Sequence, residues 1–300
     1  MLFGITAMIL VGSSWTVCGY VMGKAPKEKI EIPTLLFFSM SVTLLMSLVS
    51  GSIQGFPQTT VRGILIVAIS QILSGFFNFW QLEWMSKAMQ KGNNGIVWSI
   101  IQSGFIFPFF MGIIFFGVPL TWVRLLAFLA ALVSVTLFGI AQGGKGSRVL
   151  LIAFAAFFMT GISQSLSNLP SYFPEAESVS SIWRTAGVSC GFLLGVFFCK
   201  SRELAAFVKD IPSAAVNPKI WKFTFLMVGL ELFAHYLLLF PGMDSLSKAG
   251  AGAISYPLMV CSCLLVFDLI SLFILKEKHR PVQWAALALC FAGVAGLSLG

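Results

Sequence analysis

Ten apolar runs, each about as long as a bilayer core is thick, constrain this chain more than any other feature. A helix rises about 1.5 Å per residue, so about 20 apolar residues cross roughly 30 Å of hydrocarbon. The runs cover residues 2–22, 34–52, 63–84, 95–116, 121–141, 148–169, 179–199, 220–240, 251–275 and 282–299. Pro26, Pro33, Pro57, Pro119, Pro170, Pro174, Pro212, Pro218, Pro241 and Pro281 fall at the joins, where helices start and stop. The chain is 58% hydrophobic and 10% charged, with mean hydropathy +0.93. Soluble domains carry roughly 25% charged residues. So little polar surface cannot cover a water-soluble core. The expectation is an all-α polytopic membrane protein of about ten transmembrane helices.

Loop charge sets the expected orientation. Fifteen of the 19 Lys and Arg stand in the loops after odd-numbered runs or in the first turn of the run that follows, beginning with Lys24, Lys27 and Lys29. Loops after even-numbered runs hold Arg62, Arg124 and Lys248, and Arg184 lies inside a run. By the positive-inside rule the odd loops are cytoplasmic and both termini face out. The first run is long and is followed by basic residues, so it reads as a span and not as a cleaved signal. The net charge of +8 is dispersed over these loops, which argues for a membrane and against nucleic acid as partner. The segment 203–209, in the longest loop, has the pattern of a short amphipathic turn on the membrane surface.

The chain also repeats itself. Ser86-Lys87-Ala88 returns as Ser247-Lys248-Ala249, 161 positions later (247 − 86), and Pro119 and Trp122 return as Pro281 and Trp284, 162 later (281 − 119). Five runs per half is an odd number, so the second half enters the membrane from the opposite side. Residues 1–146 and 147–300 therefore read as two inverted five-helix repeats of one membrane domain, the plan of many secondary transporters.

These residues resemble the drug/metabolite transporter superfamily, whose ten-helix members are two EamA-type repeats. The resemblance is carried by Ser86-Lys87-Ala88 through Phe138, with Pro119-Leu120-Thr121 as the join. Its counterparts are Ser247-Lys248-Ala249 onward, Leu275-Lys276-Glu277 and Pro281-Val282-Gln283. Within that superfamily the chain is similar to the rhamnose–proton symporter and glucose/ribose porter branch. The resemblance implies a secondary transporter in the cytoplasmic (inner) membrane, moving a small polar, sugar-like metabolite by alternating access with proton coupling. An exporter of amino acids, metabolites or amphipathic drugs is the alternative within the superfamily. A non-transporting receptor or scaffold is the alternative outside it.

Ionisable groups inside a span cost about 2.5–3.5 kcal/mol on insertion scales, so they are candidates for function. Glu231 and His235 stand at i, i+4 on one helical face and together could take up and release a proton; a structural hydrogen-bonded pair is the plainer reading. Arg184 could bind a substrate oxygen or pair with Glu231 or Asp268; otherwise it reaches to the outer interface. Asp268 is a candidate coupling acid or a packing acid. Glu83 and Lys87, at i, i+4 near the end of a run, read as a solvated pair.

Uncharged polar residues form stripes. Gln71, Ser74, Asn78 and Gln81 recur at spacings of three and four, which keeps them on one face. Gln164 and Asn168, with Thr160 a turn earlier, do the same, as do Trp98 and Gln102; Ser13, Thr16, Tyr20 and Tyr256 add to the set. Lipid penalises such faces, so they look to other helices or to a cavity. Amides, hydroxyls and aromatic faces suit a neutral polyol or a zwitterion; interhelical hydrogen bonds are the plainer reading. Gly187, Gly191 and Gly195 form a small-residue stripe for close helix packing, within the bundle or in a homodimer. The runs 121–141 and 282–299 are almost free of strong polar groups and read as peripheral helices.

No GxxxxGK[ST] loop, HExxH site or nucleophile–base–acid set occurs. The two histidines, His235 and His279, are too few for a metal site. All six Cys lie in or beside apolar runs without CxxC spacing and read as small packing residues. The expectation is a non-enzyme without metal or organic cofactor, driven by a proton or other ion gradient.

Overall fold

A computed structural model describes residues 1–91, 94–141, 147–273 and 281–299. Every regular element among them is helical. The first half holds α1 (Leu2–Lys24), α2 (Ile32–Gln54), α3 (Val61–Lys91), α4 (Asn94–Gln102), α5 (Ile106–Phe116) and α6 (Trp122–Ala141). The second holds α7 (Ser147–Asn168), the single turn α8 (Pro174–Glu177), α9 (Ser181–Cys199), α10 (Leu204–Ala215), α11 (Pro218–Leu230), α12 (Phe240–Lys248), α13 (Ser255–Phe273) and α14 (Pro281–Leu299).

Seven helical stretches among the described residues are long and apolar enough to cross a membrane: Leu2–Glu28, Ile32–Gln54, Val61–Lys91, Leu151–Tyr172, Ser181–Cys199, Pro218–Lys248 and Pro281–Leu299. The chain is therefore an all-α, multi-pass membrane protein. At the three remaining expected spans the described apolar helices are shorter: Ile100–Phe116, Trp122–Leu137 and Gly252–Val266. The sides of the bundle expose Leu65, Leu73, Leu151, Phe154 and Phe225. In water such a surface would be a large adhesive patch; in lipid it is ordinary solvent contact.

Proline and glycine explain the breaks. Pro33 and Pro218 sit in first turns, where a missing N–H costs nothing. Gly117 ends α5 with φ 63°, a left-handed conformation that glycine adopts without a Cβ penalty. Pro108 cannot donate to the Gly104 carbonyl, and the chain tightens to a 3₁₀ turn at Ser103–Phe105 between α4 and α5. Between α11 and α12 the helix widens to π geometry over Glu231–Leu239, and Pro241 follows where the α register resumes.

Helix α3 packs against α7 and α9, and α1 against α11, α12 and α13; α2 lies on α9, with α11 beside it. Helix α7 also packs on α4 and α5, while α6 and α14 pair at the side, α6 touching α4 and α14 touching α13. The small-residue stripe lies at the α3–α9 crossing. A Cβ on Gly191 would drive into the Ile72 carbonyl, and one on Gly195 would meet the Phe79 ring. Gly191 and Gly195 are thus buried against α3 inside the bundle. Helix α10 buries Phe207 in a ring cluster with Phe37 and leaves Leu204 and Val208 exposed, as an interfacial helix does.

Candidate functional site

The elements converge on one interior cavity. Helix α1 contributes Trp15 and Cys18, α3 Ser74, Asn78, Gln81 and Leu82, and α4 Trp98 and Gln102. From the second half come Ser163, Gln164 and Ser167 of α7, Val188 of α9, Met227 and Leu230 of α11, Glu231 and His235 of the π segment, and Tyr256 of α13. Centres of water-sized molecules find about 50 Å³ inside it. One water needs roughly 10–15 Å³ and ligand pockets run to roughly 300–1,000 Å³. In this conformation the cavity holds a few waters, and a metabolite would enter only if the helices parted.

Glu231 and His235 are both buried, and His235 Nδ1 faces a Glu231 carboxylate oxygen. They lie on the π-helical stretch, a backbone irregularity that recurs at functional sites. The site's walls are polar but tightly stitched. Ser74 Oγ donates to the Ser163 carbonyl at 2.9 Å, and Ser163 Oγ donates to the Ser74 carbonyl at 2.9 Å, locking α3 to α7. Trp15 and Tyr256 meet as tilted rings 6.5 Å apart.

Of the residues singled out in the sequence, Ser74, Asn78, Gln81, Trp98, Gln102, Gln164, Tyr256, Glu231 and His235 line this cavity. Gln71 and Asn168 do not. Gln71 Nε2 donates to the Leu166 and Ser167 carbonyls at 3.4 and 3.3 Å, and Asn168 Nδ2 donates to Tyr172 Oη and the Gly252 carbonyl, both at 3.3 Å. Both are joints between helices. Ser13 and Thr16 donate to carbonyls of their own helix, and Tyr20 is exposed. Glu83 and Lys87 pair at 2.8 Å, with Glu83 buried and Lys87 half exposed. The side chain of Asp268 lies outside the described residues, as do Glu277 and His279.

Arg184 lies away from the cavity, and its sequence-expected partners, Glu231 and Asp268, are not the ones it takes. It is fully buried at the start of α9. Nη1 donates to Asp244 Oδ1 at 2.8 Å, Nε to the Val179 carbonyl at 3.2 Å, and Nη2 to the Ala176 and Glu177 carbonyls at 3.1 and 3.0 Å. Asp244 also accepts from Ser171 Oγ at 2.6 Å. The guanidinium thus ties α9, the α8 turn and α12 together and has no face left for a substrate. Lys248 pairs with Glu177 beside it.

Trp15, Cys18, Ser163 and Ser167 were missed as wall residues. A signal was present: Gly12–Cys18 and Gly161–Ser167 have the same Gly-x-Ser pattern around one large side chain, 149 positions apart (161 − 12). Among the described residues no group of His, Cys, Asp and Glu is placed to hold a metal ion.

No family model matches the sequence, and no curated protein matches it. Among solved structures, 26 chains match. One of them, described as "Crystal structure of protein", superposes on 99% of this chain and 96% of its own length, with TM-score 0.66 and 15% identity. At that identity the likeness establishes a shared fold over nearly the whole chain.

Proposed function

We propose that this chain is a secondary transporter that carries a small polar, sugar-like metabolite across the cytoplasmic membrane by alternating access, coupled to protons through Glu231 and His235. The observation that carries the reading is the makeup of the cavity wall. Ser74 and Met227, Asn78 and Glu231, and Leu82 and His235 stand 153 positions apart in each pair (231 − 78). Trp15 and Gln164, and Cys18 and Ser167, stand 149 apart (164 − 15). Equivalent positions of two repeats facing one site is what a two-fold transporter plan requires. Helix packing supports the same exchange: α1 against α13 corresponds to α7 against α4 and α5, α3 against α7 and α9 to α11 against α1 and α2, and α4 against α6 to α13 against α14.

On this reading ten helices form two inverted halves, the odd loops are cytoplasmic and both termini lie outside. A phosphatase that is active only outside the cytoplasm, fused after residue 300, is expected to be active; an inactive fusion of normal abundance would reverse the orientation. Transport itself is tested by counterflow. Proteoliposomes loaded with unlabelled neutral aldoses are expected to take up the labelled forms transiently and faster than protein-free vesicles. Equal rates in both would end the transporter reading.

A further inference from the structure

We infer that Gln102 and Gln164 read the guest of this cavity, and that they select an uncharged, hydroxyl-bearing molecule over its anionic counterparts. The inference rests on the proposed transport site. Gln164 is 4% exposed and Gln102 1%. Neither amide atom of Gln164 has a partner, and Gln102 Oε1 has none. Gln71 and Asn168, which also leave an oxygen bare, both spend their nitrogen on backbone carbonyls of neighbouring segments, and neither side chain lines the cavity. Gln164 is therefore different: a buried amide with both of its functions open, on a wall of the cavity.

Buried polar atoms in native proteins are nearly always bonded, to protein, water or ligand. Swapping the ends of the Gln164 amide changes nothing, because both are open. The guest must therefore give one hydrogen bond to the Gln164 oxygen and one to the Gln102 oxygen, and accept one from the Gln164 nitrogen. Hydroxyl groups do both. A few waters fit in the contracted cavity and can fill these positions until the guest displaces them.

Charge completes the rule. Among the described residues the ionisable groups that can carry charge in the wall are Glu231 and His235, which face each other. The buried guanidinium of Arg184 is taken up by Asp244 and three carbonyls. A carboxylate or phosphate on the guest would meet the Glu231 oxygens and bare amide oxygens, with no free cation to receive it.

Calorimetric titration of the purified protein tests this with matched series: neutral pentoses, hexoses and 6-deoxyhexoses, the corresponding uronic acids, and the corresponding sugar phosphates. At least one neutral member is expected to bind, with its acid and phosphate at least tenfold weaker. Gln164→Met, which keeps length and removes both functions, is expected to weaken that binding at least tenfold. Gln102→Met serves in its place if the first variant is not monodisperse in gel filtration. Binding of an anionic member as tight as its neutral parent, unchanged affinity in the Met variant, or no binding by any neutral member would overturn the inference. If neutral sugars bind by this rule but show no counterflow, the transport reading fails and the selection rule stands.

Discussion

Glu231→Gln is expected to abolish proton-driven accumulation while leaving exchange intact. The substitution keeps the size of the side chain and one acceptor oxygen, replaces the other oxygen with an amide donor, and removes the proton chemistry. With one proton per cycle, a pH gradient of one unit supports at most about tenfold accumulation. The wild-type protein should approach that ratio, and the Glu231→Gln protein should stay near equal concentrations on both sides. Counterflow needs the site to change sides but needs no gradient, so it should persist in the variant. This separates a coupling role from a folding role. Glu231 is buried against His235 in the π segment, and a structural pair would lose both activities or neither. Tenfold accumulation by the variant would remove Glu231 from coupling.

Arg184→Met is expected to destabilise the protein by about 3–5 kcal/mol, the usual cost of breaking a buried ion pair from one side. The guanidinium is fully buried, and its loss leaves Asp244 facing Ser171 alone and strips donors from the carbonyls of Ala176, Glu177 and Val179. Arg184→Lys should recover little of this. A lysine ammonium is a point charge and cannot span Asp244 and three carbonyls as the fork does. Unfolding midpoints in a detergent titration measure both variants. A midpoint equal to wild type for Arg184→Met would show that the network is not a structural clamp.

The two residues differ in how readable they were. Glu231 and His235 share a helical face by spacing alone, so their meeting followed from the sequence. Arg184 pairs with a residue 60 positions away (244 − 184). Asp244 sits past the apolar run, where a surface acid is the ordinary expectation, and only the packing of α12 on α9 brings it inward. Stripes were legible where helix spacing decides. Three of the four polar residues of α3 line the cavity, and Gln71, a turn nearer the start of the helix, meets the carbonyl end of α7 instead. Trp15, an aromatic in an apolar run, carries no facial signal of its own, and only the match of Gly12–Cys18 to Gly161–Ser167 marks it. The break after Gln102 was written in Pro108, whereas the π segment has no local mark except the proline behind it. Gly187, Gly191 and Gly195 announced close packing but not the partner, because a small-residue face fits a neighbouring helix and a second copy equally well.

The proposed function is solute movement driven by protons through a site shared by two halves. Its most direct test is uptake of labelled neutral aldoses into proteoliposomes with an imposed pH gradient, alkaline inside, with and without a protonophore. The expected result is accumulation toward the tenfold limit for one unit of gradient, collapsing to equal concentrations when the protonophore is added. Uptake that never exceeds the equal-concentration level, or accumulation that the protonophore leaves unchanged, would contradict it.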